Sequence, residues 1–342
     1  MKQMLILVVI AMLAVPLFAE EGVLIDFSLL AADITIGESD TPNQNQRTLM
    51  DFSQAVGPSF ADRYGDIMKT SLAIANWEVI LASSARHVQN MTFSFTREAK
   101  SKEFETVMGV RVHFPTEPFN SWARIKPPFD IPAYELSTVG GDGTITRNEG
   151  EGINQKSRFE SQEEGTPAYG VIKNVGAIRE VKVRAYGLNF PHGLSTILVD
   201  HNGNERSIFM GYLNFEEWGE LIWRNPNYMT EVRNRDLRII PLYPYSTPFI
   251  KFGGFLIQRD SARPGGDFVT YFKDVAIIYD LAVLTPERDI DDEATWNIIQ
   301  NREDARKTWE MERFGQNQVL RYLELQRQAT EAPFNDPSRR EQ

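Results

Sequence analysis

The chain has 342 residues, 36 Lys plus Arg against 47 Asp plus Glu, and no cysteine. The missing thiols exclude a disulfide scaffold and Cys-ligated zinc, iron–sulfur or c-type haem centres. The formal charge of −11 argues against nucleic-acid binding, which needs clustered Lys and Arg, while 42% hydrophobic and 11% aromatic residues supply a core and exclude disorder throughout.

The first element is an address. After Lys2, the run Met4–Phe18 is apolar and uncharged, and it ends at Ala19 before Glu20 and Glu21. This is the layout of a secretory signal peptide, residues 1–19, cleaved after Ala19, with Leu17 a large residue for the −3 position. The run is shorter than the ~20 residues that span a bilayer, so no membrane insertion is expected after cleavage.

Strand-like segments follow at Val23–Leu30, Trp77–Leu81, Met91–Thr96 and Val107–Phe114. In the last, Val110, Val112 and Phe114 alternate with Arg111 and His113, the period of a strand with one buried face. Residues 137–167, rich in Gly, Glu, Asn, Ser and Thr, read as a long exposed loop. The stretch from Val171 to Tyr279 is the most strongly β. Glu180–Tyr186 places Val181, Val183 and Ala185 inward and Lys182 and Arg184 outward. Leu194–Val199 and Arg206–Tyr212 flank Asn202-Gly203, which signals a hairpin with a type I′ turn. Further strands are expected at Glu220–Trp223, Leu237–Pro241, Phe249–Ile257 and Phe268–Tyr279. Many short strands separated by turns describe an all-β sandwich or barrel, and the length fits one large sandwich with insertions over residues 20–286.

After Pro286 the pattern becomes helical. Residues 287–330 are charged, Glu303 and Lys307 have helical pair spacing, and Trp296, Ile299, Trp309, Val319, Leu320 and Leu323 are expected to supply apolar contacts. Gly315 is expected to interrupt or kink this tail, and the polar residues 331–342 to fray.

Enzyme motifs are missing. There is no His-Glu-x-x-His, Walker A or Gly-x-Ser-x-Gly. Gly57-Pro-Ser-Phe-Ala61 fails at its fifth position, and Gly141-Asp-Gly143 continues without a third Gly. The run from Asp200 has Glu205 where a calcium loop of the EF-hand type needs Gly. The four histidines, His87, His113, His192 and His201, lack ligand spacing. No catalytic residue, cofactor site or metal site is assigned. Asp26 in the first strand and Asp274 in the last are placed to meet in space; solvated strand-end carboxylates are the simpler expectation, a structural calcium the alternative.

The aromatic clusters say more. Trp218, Trp223, Asn225, Pro226 and Tyr228 fall within eleven residues, and Tyr243 and Tyr245 follow in Pro241-Leu-Tyr-Pro-Tyr. They read either as core and a packed corner or as an interaction surface, since Trp and Tyr favour interfaces.

The segments Val175–Gly187, Leu198–Gly203 and Leu213–Trp218 resemble galactose-binding jelly rolls. Val23-Leu-Ile-Asp26-Phe27, Met210-Gly211-Tyr-Leu213, Leu221-Ile-Trp223-Arg-Asn225-Pro226-Asn-Tyr228, Pro241-Leu-Tyr243-Pro244 and Tyr271–Asp280 together resemble the FlaA family, the outer-layer (sheath) proteins of spirochaete periplasmic flagellar filaments. The likeness runs from about Val23 to Leu284. It implies a jelly-roll β-sandwich related to carbohydrate-binding modules, with loop insertions and a helical tail. It also implies export to the periplasm and a non-catalytic coat on the filament that contributes to stiffness, curvature and motility. The implied partners are flagellin core subunits, neighbouring sheath subunits and glycans on the core. The alternative is an exported carbohydrate-binding module that stacks sugars on exposed Trp and Tyr.

Overall fold

The computed structural model describes residues 19–32, 45–53, 62–63, 65–133, 137–139, 145–147, 159–160, 167–237, 248–282, 290 and 292–335. The signal-like residues 1–18, most of the 137–167 loop, Tyr243, Tyr245 and residues 336–342 lie outside them.

The strands, in chain order, are β1 (Glu20–Asp26), β2 (Met50–Asp51), β3 (Lys69–Thr70), β4 (Glu78–Leu81), β5 (Phe95–Ser101), β6 (Glu105–Phe114), β7 (Ser121–Lys126), β8 (Ser137–Val139) and β9 (Ile145–Arg147). They continue with β10 (Val171–Lys173), β11 (Val175–Leu188), β12 (Gly193–Asp200), β13 (Glu205–Tyr212), β14 (Glu216–Arg224), β15 (Phe249–Arg259) and β16 (Gly266–Leu281). The helices are α1 (Val88–Phe93), α2 (Tyr228–Leu237), α3 (Asp292–Trp296) and α4 (Ile298–Asn335).

Two six-stranded antiparallel sheets make a β-sandwich. The first has the order β14-β11-β16-β6-β5, and the second β13-β12-β15-β7-β4. The chain switches sheets between β1 and β4, β4 and β5, β6 and β7, β10 and β11, β11 and β12, β13 and β14, β14 and β15, and β15 and β16, which is how a jelly roll wraps its core. The long β16 pairs β11 along one edge, while its other edge is shared by β6 and then β1. In the second sheet β15 does the same with β12 on one side and β7 and β10 on the other.

Alternation explains the core. Val181, Val183 and Ala185 are fully buried, as are Val112 and Phe114, and Val110 nearly so. Phenylalanine joins the sheets: Phe255 of β15 stacks on Phe272 of β16 with centroids 4.1 Å apart. Phe27, in the 3-10 turn after β1, meets Trp77 at 5.4 Å and Phe252 at 6.3 Å. Asp26 starts that turn by accepting the Ser28 amide at 2.9 Å. Full burial of each such ring contributes roughly 2–3 kcal/mol.

Several expectations change. Val23–Leu30 is a strand only to Asp26. Met91–Thr96 divides into α1 and the start of β5; within it, Ser94 Oγ donates to the Asn90 carbonyl at 2.6 Å, closing the helical turn against the strand. Of the strand expected at Leu237–Pro241, Leu237 is the last residue of α2, and residues 238–241 lie outside the described residues. The β12–β13 hairpin forms, but Gly203 has φ +83 while Asn202 is not left-handed. With the Gly203 amide donating to the Asp200 carbonyl at 2.9 Å, the turn is type I with a left-handed glycine after it rather than type I′. Gly315 is buried and α4 passes through it unbroken. Of the residues expected to dock the tail, Ile299 is buried while Trp296, Trp309, Leu320 and Leu323 are exposed, and Met311 packs against the core as well. No helix among the described residues is long and apolar enough to cross a membrane.

Candidate interaction surface

β14 carries both tryptophans of the sequence cluster. Positions 218 and 223 differ by an odd number, so a strand must send them to opposite faces. In the register against β11, Trp223 lies opposite the buried Val181, and Trp218 lies opposite Tyr186. Trp223 therefore packs on the core margin, with the Arg206 guanidinium 5.2 Å from its ring centroid. Trp218 points away from the core.

On that outer face Trp218 meets Phe104 edge-on at 5.0 Å and Tyr186 at 5.3 Å, and Tyr186 meets Tyr271 at 5.9 Å. Arg184 lies over Phe104 at 5.3 Å. Trp218, Tyr186 and Tyr271 line an open cavity of about 820 Å³, together with Lys100, Lys102, Glu103 and Glu217, and Phe104 backs Trp218 from behind the lining. Aromatic walls with charges of both signs at the rim describe a surface suited to a polar partner rather than to a buried reactive centre.

Asn225, Pro226 and Tyr228 serve the turn from β14 into α2. Asn225 is buried; its Nδ2 donates to the Ile178 carbonyl at 2.8 Å and to Glu231 at 2.9 Å, and its Oδ1 accepts the Asn227 amide at 3.0 Å. Tyr228 donates its hydroxyl to Asp280 at 2.8 Å, and Arg179 sits 5.9 Å from its ring. Pro226 is exposed between them. The structure thus places Trp218 in the groove, Trp223 at the core margin and Asn225 with Tyr228 in a hydrogen-bonded turn. Tyr186 and Tyr271 complete the groove and Phe104 supports Trp218, none of them among the residues singled out from the sequence. Tyr186 was legible, because it continues the outward alternation of Lys182 and Arg184; Phe104 sits in the β5–β6 turn, where no periodicity marks it.

Asp26 and Asp274 do meet, as direct partners in the β1–β16 register. Each has its own cation. Lys273, the extra residue of a bulge in β16, pairs with Asp26 and donates to Ser28 Oγ at 2.9 Å, while Arg184 reaches Asp274 at 3.3 Å. Burial raises the Asp274 carboxyl above the usual range, against the pull of Arg184. Among the described residues no group of three His, Asp or Glu is arranged to hold a metal. Burial alone would raise the Asp200 carboxyl, but the amides of Asn204 and Asn202 outweigh it and hold the group low, so this carboxylate closes a hairpin.

The fold and the groove can be set beside known proteins. The model of flagellar filament outer layer protein FlaA matches residues 41–288. The chain belongs to the FlaA family of flagellar filament outer layer proteins. A flagellar filament outer layer protein of Treponema pallidum is 46% identical over 98% of this FlaA-family chain and 96% of its own length. One from Spirochaeta aurantia is 46% identical over 93% and 90%, and one from Borreliella burgdorferi 31% over 82% and 76%. Among solved structures, a β-sandwich carbohydrate-binding module aligns at 9% identity with a TM-score of 0.29, over 60% of this chain and 58% of its own. The family 11 carbohydrate-binding module of a Clostridium thermocellum cellulase gives 9% and 0.27, over 62% and 91%. Likeness at that level carries no weight for ligand or function.

Proposed function

We propose that this FlaA-family chain is a structural, non-catalytic component of the outer layer of the periplasmic flagellar filament, exported through residues 1–19. The observation that carries the reading is the near end-to-end alignment, at 46% identity, with flagellar filament outer layer proteins of two organisms. Its partners are core flagellin subunits and neighbouring copies or paralogues in the layer. An outer layer is open-ended, so copies meet through two different patches rather than one self-complementary patch. We assign one patch to the groove around Trp218, since aromatic clusters with mixed-charge rims are the composition of interface centres. The exposed Trp309, Leu320 and Leu323 of α4 offer a second. A helix of 38 residues extends about 57 Å at 1.5 Å per residue, which is enough to reach a neighbour. A packed layer of this kind resists changes in subunit spacing and so stiffens or curves the filament.

The test is cryo-electron tomography of filaments from cells with and without the gene, averaged along the filament axis. The deletion should give a thinner filament lacking an outer layer, and the gene should restore it. An unchanged filament refutes the reading.

A further inference from the structure

A second groove lies on the opposite side of the sandwich, on the outer face of the second sheet, and the outer-layer reading makes no use of it. Four strands build it in one row. Gly193 of β12 pairs with Tyr212 of β13 on one side and with Gln258 of β15 on the other, and Gln258 pairs with Trp122 of β7. The row therefore runs aromatic, glycine, amide, aromatic. Its end residues are three strand spacings apart, roughly 14 Å between backbones. Phe209 stands beside Tyr212 with ring centroids 5.3 Å apart, doubling that wall. The cavity between the walls measures about 410 Å³.

These rings are not core residues that happen to show an edge. Trp122 is 41% exposed, Phe209 47% and Tyr212 57%. The gap between the walls exists because position 193 has no side chain. A Cβ there would come within 3.0 Å of the Phe209 ring and 3.7 Å of the Gln258 amide oxygen. The end of the groove is held in place by Arg259, a buried cation whose Nη1 donates to the Pro115 and Glu117 carbonyls at 2.7 and 3.1 Å. Its Nε and Nη2 donate to the Arg263 carbonyl at 3.1 and 2.8 Å. Ser121, also lining the groove, is 3% exposed and its hydroxyl has no hydrogen-bond partner among the described residues. A rigid, aromatic-walled slot with an amide on its floor and an unspent buried hydroxyl has the composition of a preorganised ligand site.

We propose that this groove binds a saccharide, with pyranose rings between Trp122 and the Phe209–Tyr212 pair. A sugar ring has C–H-bearing faces that pack on aromatic planes and a hydroxyl rim that needs planar amide and charged partners, here Gln258, Asp260 and Arg263. A peptide strand fits poorly. The groove lies across the face of a sheet, over strands that are hydrogen-bonded to one another from β13 to β7, so strand addition could occur only at the outer edge of β13, outside the groove. A helix is about 10 Å or more across with its side chains and does not fit between walls that themselves project into the gap.

The experiment uses the purified chain and two arms. One is isothermal titration with β-1,4-linked tetrasaccharides of glucose, galactose, mannose and N-acetylglucosamine and with soluble cell-wall glycan strands. The other is binding to immobilised core flagellin before and after chemical deglycosylation. Saturable binding in the first arm alone places the ligand among free or wall glycans; binding in the second that deglycosylation removes places it on the filament. In either case Trp122→Ala and Tyr212→Ala should each weaken binding roughly tenfold or more, Gly193→Val should abolish it, and Met229→Ala, exposed on α2 and in neither groove, should leave it unchanged. Tyr212 is on the edge strand β13 and more than half exposed, so its variant keeps the test valid if Trp122→Ala does not fold. No binding in either arm overturns the proposal. So does saccharide binding that survives the groove variants, or flagellin binding that the groove variants weaken but deglycosylation does not touch, which would mean a peptide occupant. Saccharide affinity is read apart from filament thickness, so failure here leaves the outer-layer reading standing.

Discussion

His192 allows a quantitative test of how this sandwich responds to acid. Its ring is 3% exposed and sits among Phe268, Phe114 and Phe190 at centroid distances of 4.7, 5.1 and 5.9 Å. Neither ring nitrogen has a hydrogen-bond partner among the described residues. Burial first, and then the nearby Arg259 and Arg263 charges, lower its pKa from 6.5 to about 4. The unfolded chain therefore takes up a proton between those two values while the folded chain does not, so stability falls as pH drops through that window. At 1.36 kcal/mol per unit, the loss on going from pH 7 to pH 4 amounts to about 3 kcal/mol. His192→Phe keeps an aromatic ring in the cage and removes the proton. Urea denaturation followed by tryptophan fluorescence at pH 7, 6, 5 and 4 should then show the parent losing about 3 kcal/mol more than the variant across the range, with the gap opening below pH 6.5. The carboxylates common to both chains cancel in the comparison. Parallel curves would refute the reasoning and mean that the folded ring is protonated in place.

Four other perturbations follow from single contacts. Asn225→Ala removes the donor to Ile178 and Glu231 and the acceptor of the Asn227 amide, and should cost about 2–3 kcal/mol in chemical denaturation while leaving the circular dichroism spectrum unchanged. Arg259→Met strips three carbonyls, that of Pro115 buried, of their donor and should cost about 3 kcal/mol, read as a fall in melting temperature of roughly 5 °C. Lys273→Met leaves the facing carboxylates of Asp26 and Asp274 with Arg184 as their one remaining cation and should destabilise by roughly 3 kcal/mol, measured by urea titration at pH 7. Trp218→Ala should fold with a loss of about 1–2 kcal/mol, since Phe104 and Tyr186 lose one ring contact each, yet fail to decorate filaments in a pelleting assay. Normal decoration by that variant would remove the first-sheet groove as a contact.

The sequence by itself determined several of the strands, β6 and β11–β16 among them, and which way their residues face, but not β7. Val181, Val183 and Ala185 alternate with Lys182, Arg184 and Tyr186 because successive side chains leave a strand on opposite sides, and that rule needs no knowledge of partners. It also carried the family, through segments such as Leu221–Tyr228, and the odd spacing that forbids Trp218 and Trp223 from sharing a face. Local signals were weaker where hydrogen bonds decide. The polar Tyr228–Leu237 shows little apolar periodicity, yet it is helical after a turn organised by Asn225. The tail's apolar residues gave length and helicity but not which of them dock, since that depends on the surface the helix lies against.

Only the tertiary structure decided the grooves. Tyr212, Gly193, Gln258 and Trp122 form one row because β13, β12, β15 and β7 are neighbours in that order, and Trp122 is far from the other three in sequence. The same holds for Phe104 against Trp218; that Asp26 and Asp274 meet was expected from the sequence, but not the separate cation each one finds. A strand's own pattern fixes its buried face, but many partners satisfy that pattern equally. Which strand lies beside which, and at what register, is set by the fit of the whole core and by the bulges that shift β16 and β15 by a residue.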